Sequence, residues 1–161
     1  MGAFVIVGLL SPLADGLNMT SAQAGWVMTT YAIAYAIASP ILVAMTGNWQ
    51  RRTVLLTGMA IFSIATLATA LATSTAMLLV CRVAVAMGAA LITPVTAGVA
   101  VAVSQPSQIG KALATVFSGM TISQALGIPA GSFVAYTWGW QATFALVAVL
   151  GVLTLIGVWR L

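Results

Sequence analysis

Six long apolar stretches separated by short polar breaks constrain this chain of 161 residues more than any other feature of its sequence. A helix of about 20 apolar residues crosses the ~30 Å hydrocarbon layer of a bilayer, whereas membrane β-strands alternate in polarity. The sequence therefore predicts an all-α polytopic membrane protein, a single bundle of six transmembrane helices embedded in lipid. The predicted spans are residues 1–14, 24–46, 53–72, 76–103, 112–136 and 142–159.

The composition excludes several other classes of protein. Hydrophobic residues make up 62% of the chain and charged residues 4%, whereas about a quarter of the residues in a soluble domain are charged. The five basic residues are too few and too scattered to bind nucleic acid. One acidic residue, one cysteine and no histidine leave nothing from which to build catalytic residues or a metal site. We expect neither an enzyme nor a cofactor.

The basic residues predict how the bundle is oriented. If the N-terminus is cytoplasmic, then Arg51, Arg52, Lys111 and Arg160 all fall in cytoplasmic segments, and the outer loops contain no Lys or Arg. This asymmetry follows the positive-inside rule. We therefore expect a multi-pass protein of the inner (plasma) membrane with both termini in the cytoplasm and with Arg51 and Arg52 in a cytoplasmic loop.

The first span is shorter than the others. About 14 helical residues reach only ~21 Å, less than the hydrocarbon thickness. A secretory signal peptide is the competing interpretation, but no basic residue precedes the apolar run, and Ser11 and Pro12 interrupt it. We prefer a transmembrane helix that lacks its first turn or two.

Small residues recur at every fourth position of the fifth span. Gly119, Ser123, Gly127 and Gly131 form this stripe, and Pro129 lies between the last two. Such a stripe lets another helix approach closely, which predicts a packing seam. Because proline removes a backbone hydrogen bond, the same segment is also a candidate hinge, and both interpretations can hold together.

Five polar residues within the spans are candidates for lining a substrate cavity: Arg82, Gln124, Tyr31, Tyr35 and Thr121. A guanidinium is costly in hydrocarbon, so Arg82 should point into a cavity or at a partner; the alternative is that it snorkels to the interface. Gln124 serves either substrate contact or hydrogen bonding between helices. The Ser63, Thr66 and Thr69 hydroxyls are expected to bond to their own backbone.

The prolines hint at an internal repeat of three helices. Pro12 and Pro40 lie in the first and second spans, Pro94 and Pro129 in the fourth and fifth, and none in the third and sixth. Two copies of a three-helix unit would produce this pattern. Secondary transporters contain such repeats, with the binding site between them.

Several short motifs together carry a family resemblance. They are G-K-A-L-A at 110–114, G-I-P-A-G-S at 127–132, G-W-Q-A-T-F at 139–144, Arg82 with G-A-A at 88–90, F-V-I-V-G-L-L at 4–10 and A-Q-A-G-W at 22–26. The chain resembles the N-terminal half of a major facilitator superfamily transporter. The similarity is to the drug:proton antiporter branch, which includes arabinose/sugar efflux and chloramphenicol-resistance proteins.

The chain departs from the family pattern at three places. The cytoplasmic motif that usually reads D-R-x-G-R-R is here G-N-W-Q-R-R at 47–52, which keeps only the arginine pair. Ala3 stands where the branch often has Glu, and Val85 and Ala86 replace a polar residue and a glycine. Proton coupling by a carboxylate in these helices is therefore unsupported, since Asp15 is the sole acid and lies at the outer end of the first span.

The resemblance implies a half-size transporter that exports a small organic solute of the drug or sugar type. Its complete fold has two six-helix halves, so function would require a second half, supplied by another chain or by a second copy of this one. The alternative is a non-transporting fragment or structural membrane subunit that lacks its C-terminal half.

Overall fold

Five long helices make up nearly all of the computed structural model, which describes Leu9, Leu13, Ala14, Gly16 and residues 19–160. They are α1 (Ser21–Met45), α2 (Arg51–Ala70), α3 (Thr75–Ala102), α4 (Ile109–Trp138) and α5 (Trp140–Arg160), with a short 3₁₀ turn at Pro106–Gln108 before α4. Each of the five is long and apolar enough to cross a membrane. The all-α prediction is confirmed for the described part of the chain.

These helices correspond to the second to sixth predicted spans. The first predicted span, residues 1–14, lies mostly outside the described residues, as do Ala3, Pro12, Asp15 and most of the motif at 4–10. The sixth helix and the arrangement as two three-helix repeats therefore stay predictions.

The five helices begin one to three residues before the apolar stretches, and at α1 and α3 a polar residue caps the helix start. Thr20 and Gln23 form a capping box at α1: the Gln23 N–H donates to Thr20 Oγ1 at 3.3 Å, and the Thr20 N–H donates to Gln23 Oε1 at 2.9 Å. Ser74 accepts from the Met77 N–H at 3.3 Å at the start of α3. Caps satisfy backbone donors that have no partner within the helix, so the helix extends beyond its hydrocarbon segment.

A single residue joins α4 to α5. Gly139 has φ 87° and ψ 158°, a backbone conformation almost confined to glycine, and its N–H donates to the Ala135 carbonyl at 3.0 Å. The chain therefore reverses direction between Trp138 and Trp140 without a loop.

The bundle has a buried core at each end. The Trp140 end is where α1, α3 and α5 begin, and its core includes Leu9, Leu13, Leu78, Trp140 and Phe144. The Arg52 end is where those helices finish, and its core is built on Val54, Leu91 and Val95. Helix α4 is the least embedded, because only Gly131 and Ala135 are buried along its length.

Helices α2 and α3 cross closely at two glycines. A Cβ atom added to Gly88 would lie 2.6 Å from the Phe62 backbone nitrogen and 2.8 Å from the Gly58 carbonyl oxygen, and one added to Gly58 would lie 2.9 Å from Leu91 Cβ. Small residues at such a contact let helix backbones approach where apolar burial gives no driving force.

A long-range hydrogen bond ties the start of α2 to the end of α5. Arg52 Nη2 donates to the Trp159 carbonyl oxygen at 2.5 Å. The last carbonyls of a helix lack partners within it, and cations near a helix C-terminus are stabilising. One arginine of the pair at 51–52 therefore caps another helix.

We predict that Gly88→Ala destabilises the bundle, because the new methyl group would overlap the α2 backbone; overpacking of this kind costs about 1–3 kcal/mol. The measurement is the thermal unfolding midpoint in detergent. Gly98→Ala is the matched control, since a Cβ there meets nothing within 4 Å and both changes add the same helix propensity to α3. Equal midpoints for the two variants would contradict the close crossing.

We predict that Arg52→Ala loosens the last turn of α5 and that Arg51→Ala does not. For an exposed charged hydrogen bond of about 0.5–1 kcal/mol, amide hydrogen exchange in that turn should become about threefold faster. Exchange is followed by mass spectrometry of the C-terminal peptide. Unchanged exchange in Arg52→Ala, or the same acceleration in both variants, would refute the capping role.

Candidate functional site

A cavity of about 780 Å³ lies among the helices, near the middle of the bundle. All five described long helices contribute to its wall. Its lining residues are Met28, Tyr31, Ala32, Tyr35, Met59, Phe62, Ser63, Ala89, Ile92, Thr93, Phe117, Met120, Ser123, Val147, Leu150, Gly151 and Thr154. Val147 also belongs to the core at the Trp140 end, so that core closes one side of the cavity.

The wall is apolar and aromatic, and it contains no charged residue among the described lining residues. The Tyr31 and Tyr35 rings, one helical turn apart on α1, are stacked with their centroids 6.2 Å apart and an interplanar angle of 17°. Phe62 and Phe117 add two further rings. Pockets of this size and composition bind small organic molecules, with a few polar groups fixing orientation.

Most of the threonine hydroxyls near the cavity are already used by the backbone. Thr93 and Thr154 donate to carbonyls one turn earlier in their own helices, at 3.3 and 2.7 Å. Such bonds satisfy the hydroxyl donor without a solute. The wall therefore offers fewer free hydrogen-bond donors than the number of its hydroxyl-bearing residues suggests.

Ser63 is the exception. Its side chain is 4% exposed, and its Oγ has no hydrogen-bond partner, although Thr66 and Thr69 bond to their own helix at 2.6 and 2.8 Å as expected. The prediction that Ser63 also bonds to its backbone is wrong. Its Oγ faces Gly151 of α5, where a Cβ atom would come within 2.5 Å of it, and this crossing partner was not evident from the sequence of α2.

Arg82 lies inside the bundle rather than at its surface. The side chain is 1% exposed, and its guanidinium carbon lies 4.5 Å from the centroid of the Phe144 ring. This position does not fit an arginine that snorkels to the membrane interface. Arg82 does not itself line the cavity, but Ala89 and Thr93, farther along the same face of α3, do.

Of the other cavity candidates, the structure places Tyr31 and Tyr35 in the wall but not Thr121 and Gln124. The α4 residues that face the cavity are Phe117, Met120 and Ser123. Thr121 and Gln124 each lie one helical turn from a lining residue, Phe117 and Met120 respectively, but neither contributes to the wall. The Thr121 hydroxyl donates to the Phe117 carbonyl at 3.1 Å.

The stripe of small residues on α4 divides into parts with different surroundings. Gly119 is exposed, and a Cβ there would meet nothing within 4 Å, whereas Ser123 lines the large cavity. Gly127 and Gly131 line a second cavity of about 190 Å³ between α4 and α5. The Thr143 hydroxyl of α5 donates to the Gly131 carbonyl at 3.1 Å, beside the exposed Pro129.

No three His, Cys, Asp or Glu side chains come together in the part of the chain that the structure describes. The features that the described residues do offer are an apolar cavity, stacked tyrosine rings, one buried serine hydroxyl and a buried guanidinium on an aromatic ring. Such a set is suited to recognising an organic solute.

Known proteins similar to this chain include MFS-type transporters. The chain is 28% identical over 153 residues to an uncharacterized MFS-type transporter, YbcL of Bacillus subtilis (strain 168), and 29% identical over 153 residues to YtbD of the same organism. It is 34% identical over 146 residues to a chloramphenicol resistance protein of Streptomyces lividans. These matches cover 95%, 95% and 91% of this chain but only 39%, 39% and 37% of the relatives.

The family profile extends over the full length of the chain. The profile described as Major Facilitator Superfamily matches residues 1–161, including the segments that hold Arg82, the stripe on α4 and the G-W-Q-A-T-F motif. With five helices able to cross a membrane, this is a multi-pass membrane protein. The chain belongs to the Major Facilitator Superfamily of transporters.

Proposed function

We propose that this bundle forms part of the wall of an export pathway for small, drug-like organic solutes in the inner membrane, with its N- and C-termini in the cytoplasm. The observation that carries the proposal is the cavity of about 780 Å³ with its tyrosine pair. The chloramphenicol resistance protein among the relatives supports export of an organic drug.

The chemistry of the wall favours a drug-like solute over a sugar. A sugar has many hydroxyl groups, and each one that is desolvated without a partner costs free energy. Of the six hydroxyl groups on the described lining residues, those of Thr93 and Thr154 are bonded to their own backbone. The cavity therefore has few available polar groups, namely the hydroxyls of Tyr31, Tyr35, Ser63 and Ser123. Aromatic rings and methionines instead suit a neutral or weakly charged solute with an aromatic part.

A second six-helix bundle, in the same polypeptide or in another, is part of this proposal. The relatives are more than twice as long as the matched region, and alternating access in such transporters is rocking of one bundle against the other around a site near the membrane centre. Within this bundle we assign six helices in two three-helix repeats. Thr121 and Gln124, which do not line the cavity, are then available to contact the second bundle.

Helix α4 is the element that we expect to move. Only two of its residues are buried, and the cavity of about 190 Å³ beside Gly127 and Gly131 leaves room for a change of tilt. Pro129 lacks a backbone N–H, so the helix is weakened at this level. In this proposal Gly127, Pro129 and Gly131 combine packing with bending. Ser123 lines the large cavity, and Gly119 is available for packing against the second bundle.

We predict that filling the cavity blocks solute binding. Ala89→Trp places an indole in the space between α1 and α3, and binding of radiolabelled chloramphenicol to the purified 161-residue chain in nanodiscs should weaken by about tenfold or more. Gly98→Trp is the control, because Gly98 lies on α3 with open space around it. Both variants must remain monodisperse in detergent for the comparison to count.

Two results would overturn the proposal. Saturable binding that is equal in the wild-type chain and in Ala89→Trp would place the solute outside the cavity. No saturable binding of chloramphenicol to the wild type, together with unchanged drug accumulation in an efflux-deficient strain that expresses it, would favour the non-transporting fragment or structural subunit.

A further inference from the structure

Three side chains from two helices form a stack at the Trp140 end of the bundle. The Arg82 guanidinium of α3 lies over the Phe144 ring of α5 at 4.5 Å, and the Trp140 ring meets the Phe144 ring at 74°, with centroids 6.0 Å apart. All three residues are at most 3% exposed. The stack is therefore shielded from both water and lipid.

This geometry is energetically favourable for a buried cation. A guanidinium within about 6 Å of an aromatic centroid is attracted by the negative face of the ring, and the attraction is largest where both groups are desolvated. An edge-to-face arrangement places the positive edge of one ring against the face of the other, so Trp140 fixes the orientation of Phe144. The ring is therefore both a packing surface and an electrostatic partner for Arg82.

The stack connects the core to the cavity. Trp140 packs against Gly16, because a Cβ atom at Gly16 would lie 2.5 Å from the indole nitrogen. Val147, three residues after Phe144 and about one turn along α5, belongs both to the core and to the cavity wall. The orientation of α5 therefore determines both the position of the Arg82 guanidinium and the position of Val147 in the cavity wall.

We propose that Phe144, held edge-on by Trp140, is a positioning residue that keeps the Arg82 guanidinium at a fixed place inside the bundle. The last residue of the G-W-Q-A-T-F motif thereby serves the arginine of a different helix. The importance of this contact for solute export rests on the proposed function, whereas the position of the Arg82 side chain can be measured without any transport.

The test is the rate at which phenylglyoxal labels Arg82 in membranes that contain the full chain, followed peptide by peptide by mass spectrometry. Labelling of a buried arginine requires local opening, so its rate reports how firmly the side chain is held. The exposed Arg51 serves as the internal reference. In Phe144→Leu, which keeps an apolar side chain but removes the ring, Arg82 labelling should rise by about tenfold.

Fluorinated phenylalanines separate electrostatics from shape. Ring fluorines withdraw electron density from the face of the ring while changing its size little, so one, two and three fluorines at position 144 should raise Arg82 labelling stepwise. A merely structural role of Phe144 would not respond in this way. Leu78→Ala opens a cavity in the same core but keeps the ring, and it should raise Arg82 labelling less than Phe144→Leu does.

Two results would overturn the proposal. Labelling that is insensitive to fluorine would show that Phe144 acts by packing alone, and an equal rise in Leu78→Ala and Phe144→Leu would show general loosening of the core. Either result leaves the proposed function intact if Ala89→Trp still blocks chloramphenicol binding. A stepwise rise in Arg82 labelling without any chloramphenicol binding would instead support the positioning role of Phe144 and contradict the proposed function.

Discussion

The crossing of α2 and α3 at Gly58 and Gly88 brings two helix backbones together near the middle of the bundle. Next to these glycines in the chain stand Met59 and Ala89, which line the large cavity. A side chain at either glycine would push the helices apart and change the relative positions of the cavity residues on both. The shape of the cavity therefore depends on a direct contact between the backbones of α2 and α3. This is expected in a bilayer, where helices gain little from apolar burial and rely on close packing.

Two arginines of the bundle contact neutral groups on another helix. Arg52 donates to the Trp159 carbonyl, and Arg82 lies over the Phe144 ring. The motif at 47–52 lacks the acidic residue of the family pattern, and here its second arginine is used by the end of α5. The C-terminal carbonyls of a helix and the face of an aromatic ring each attract a cation.

The sequence was sufficient to predict the helices because hydrocarbon thickness sets their length. The described helices begin and end within about three residues of the apolar stretches. At α1 and α3 a side-chain cap accompanies the earlier start, whereas α2 and α4 begin early without one. Placing Arg82 in the interior also followed from physics, since a lipid-facing guanidinium is costly. Tyr31 and Tyr35 were found because residues four apart share a helical face.

Which α4 side chains face the cavity was harder to predict, because several faces of the helix carry apolar and small residues. The rotation of the helix about its own axis then depends on its tertiary contacts. Ser123 lines the cavity, while Gln124, the next residue, does not. Ser63 was misjudged because its environment is set by Gly151, which is distant in sequence. Phe144 was recognised only as part of a motif, since nothing in its local sequence indicates that it lies beneath Arg82.

The one-residue joint at Gly139 and the bond from Thr143 to the Gly131 carbonyl hold the same end of α4. Beyond Gly131 the helix continues to Ile109 with little of its surface buried, a distance of roughly 33 Å at 1.5 Å per residue. Helix α4 is therefore held near its C-terminal end, so that a change of tilt there moves its N-terminal end the farthest. A tilt of about 10° at Gly131 displaces the Ile109 end by about 6 Å while the Trp140 end stays in place. Such a displacement exceeds half the usual distance between packed helix axes. In the proposed export pathway, a small rotation at Gly131 would therefore be enough to open or close a passage at the far end of the bundle.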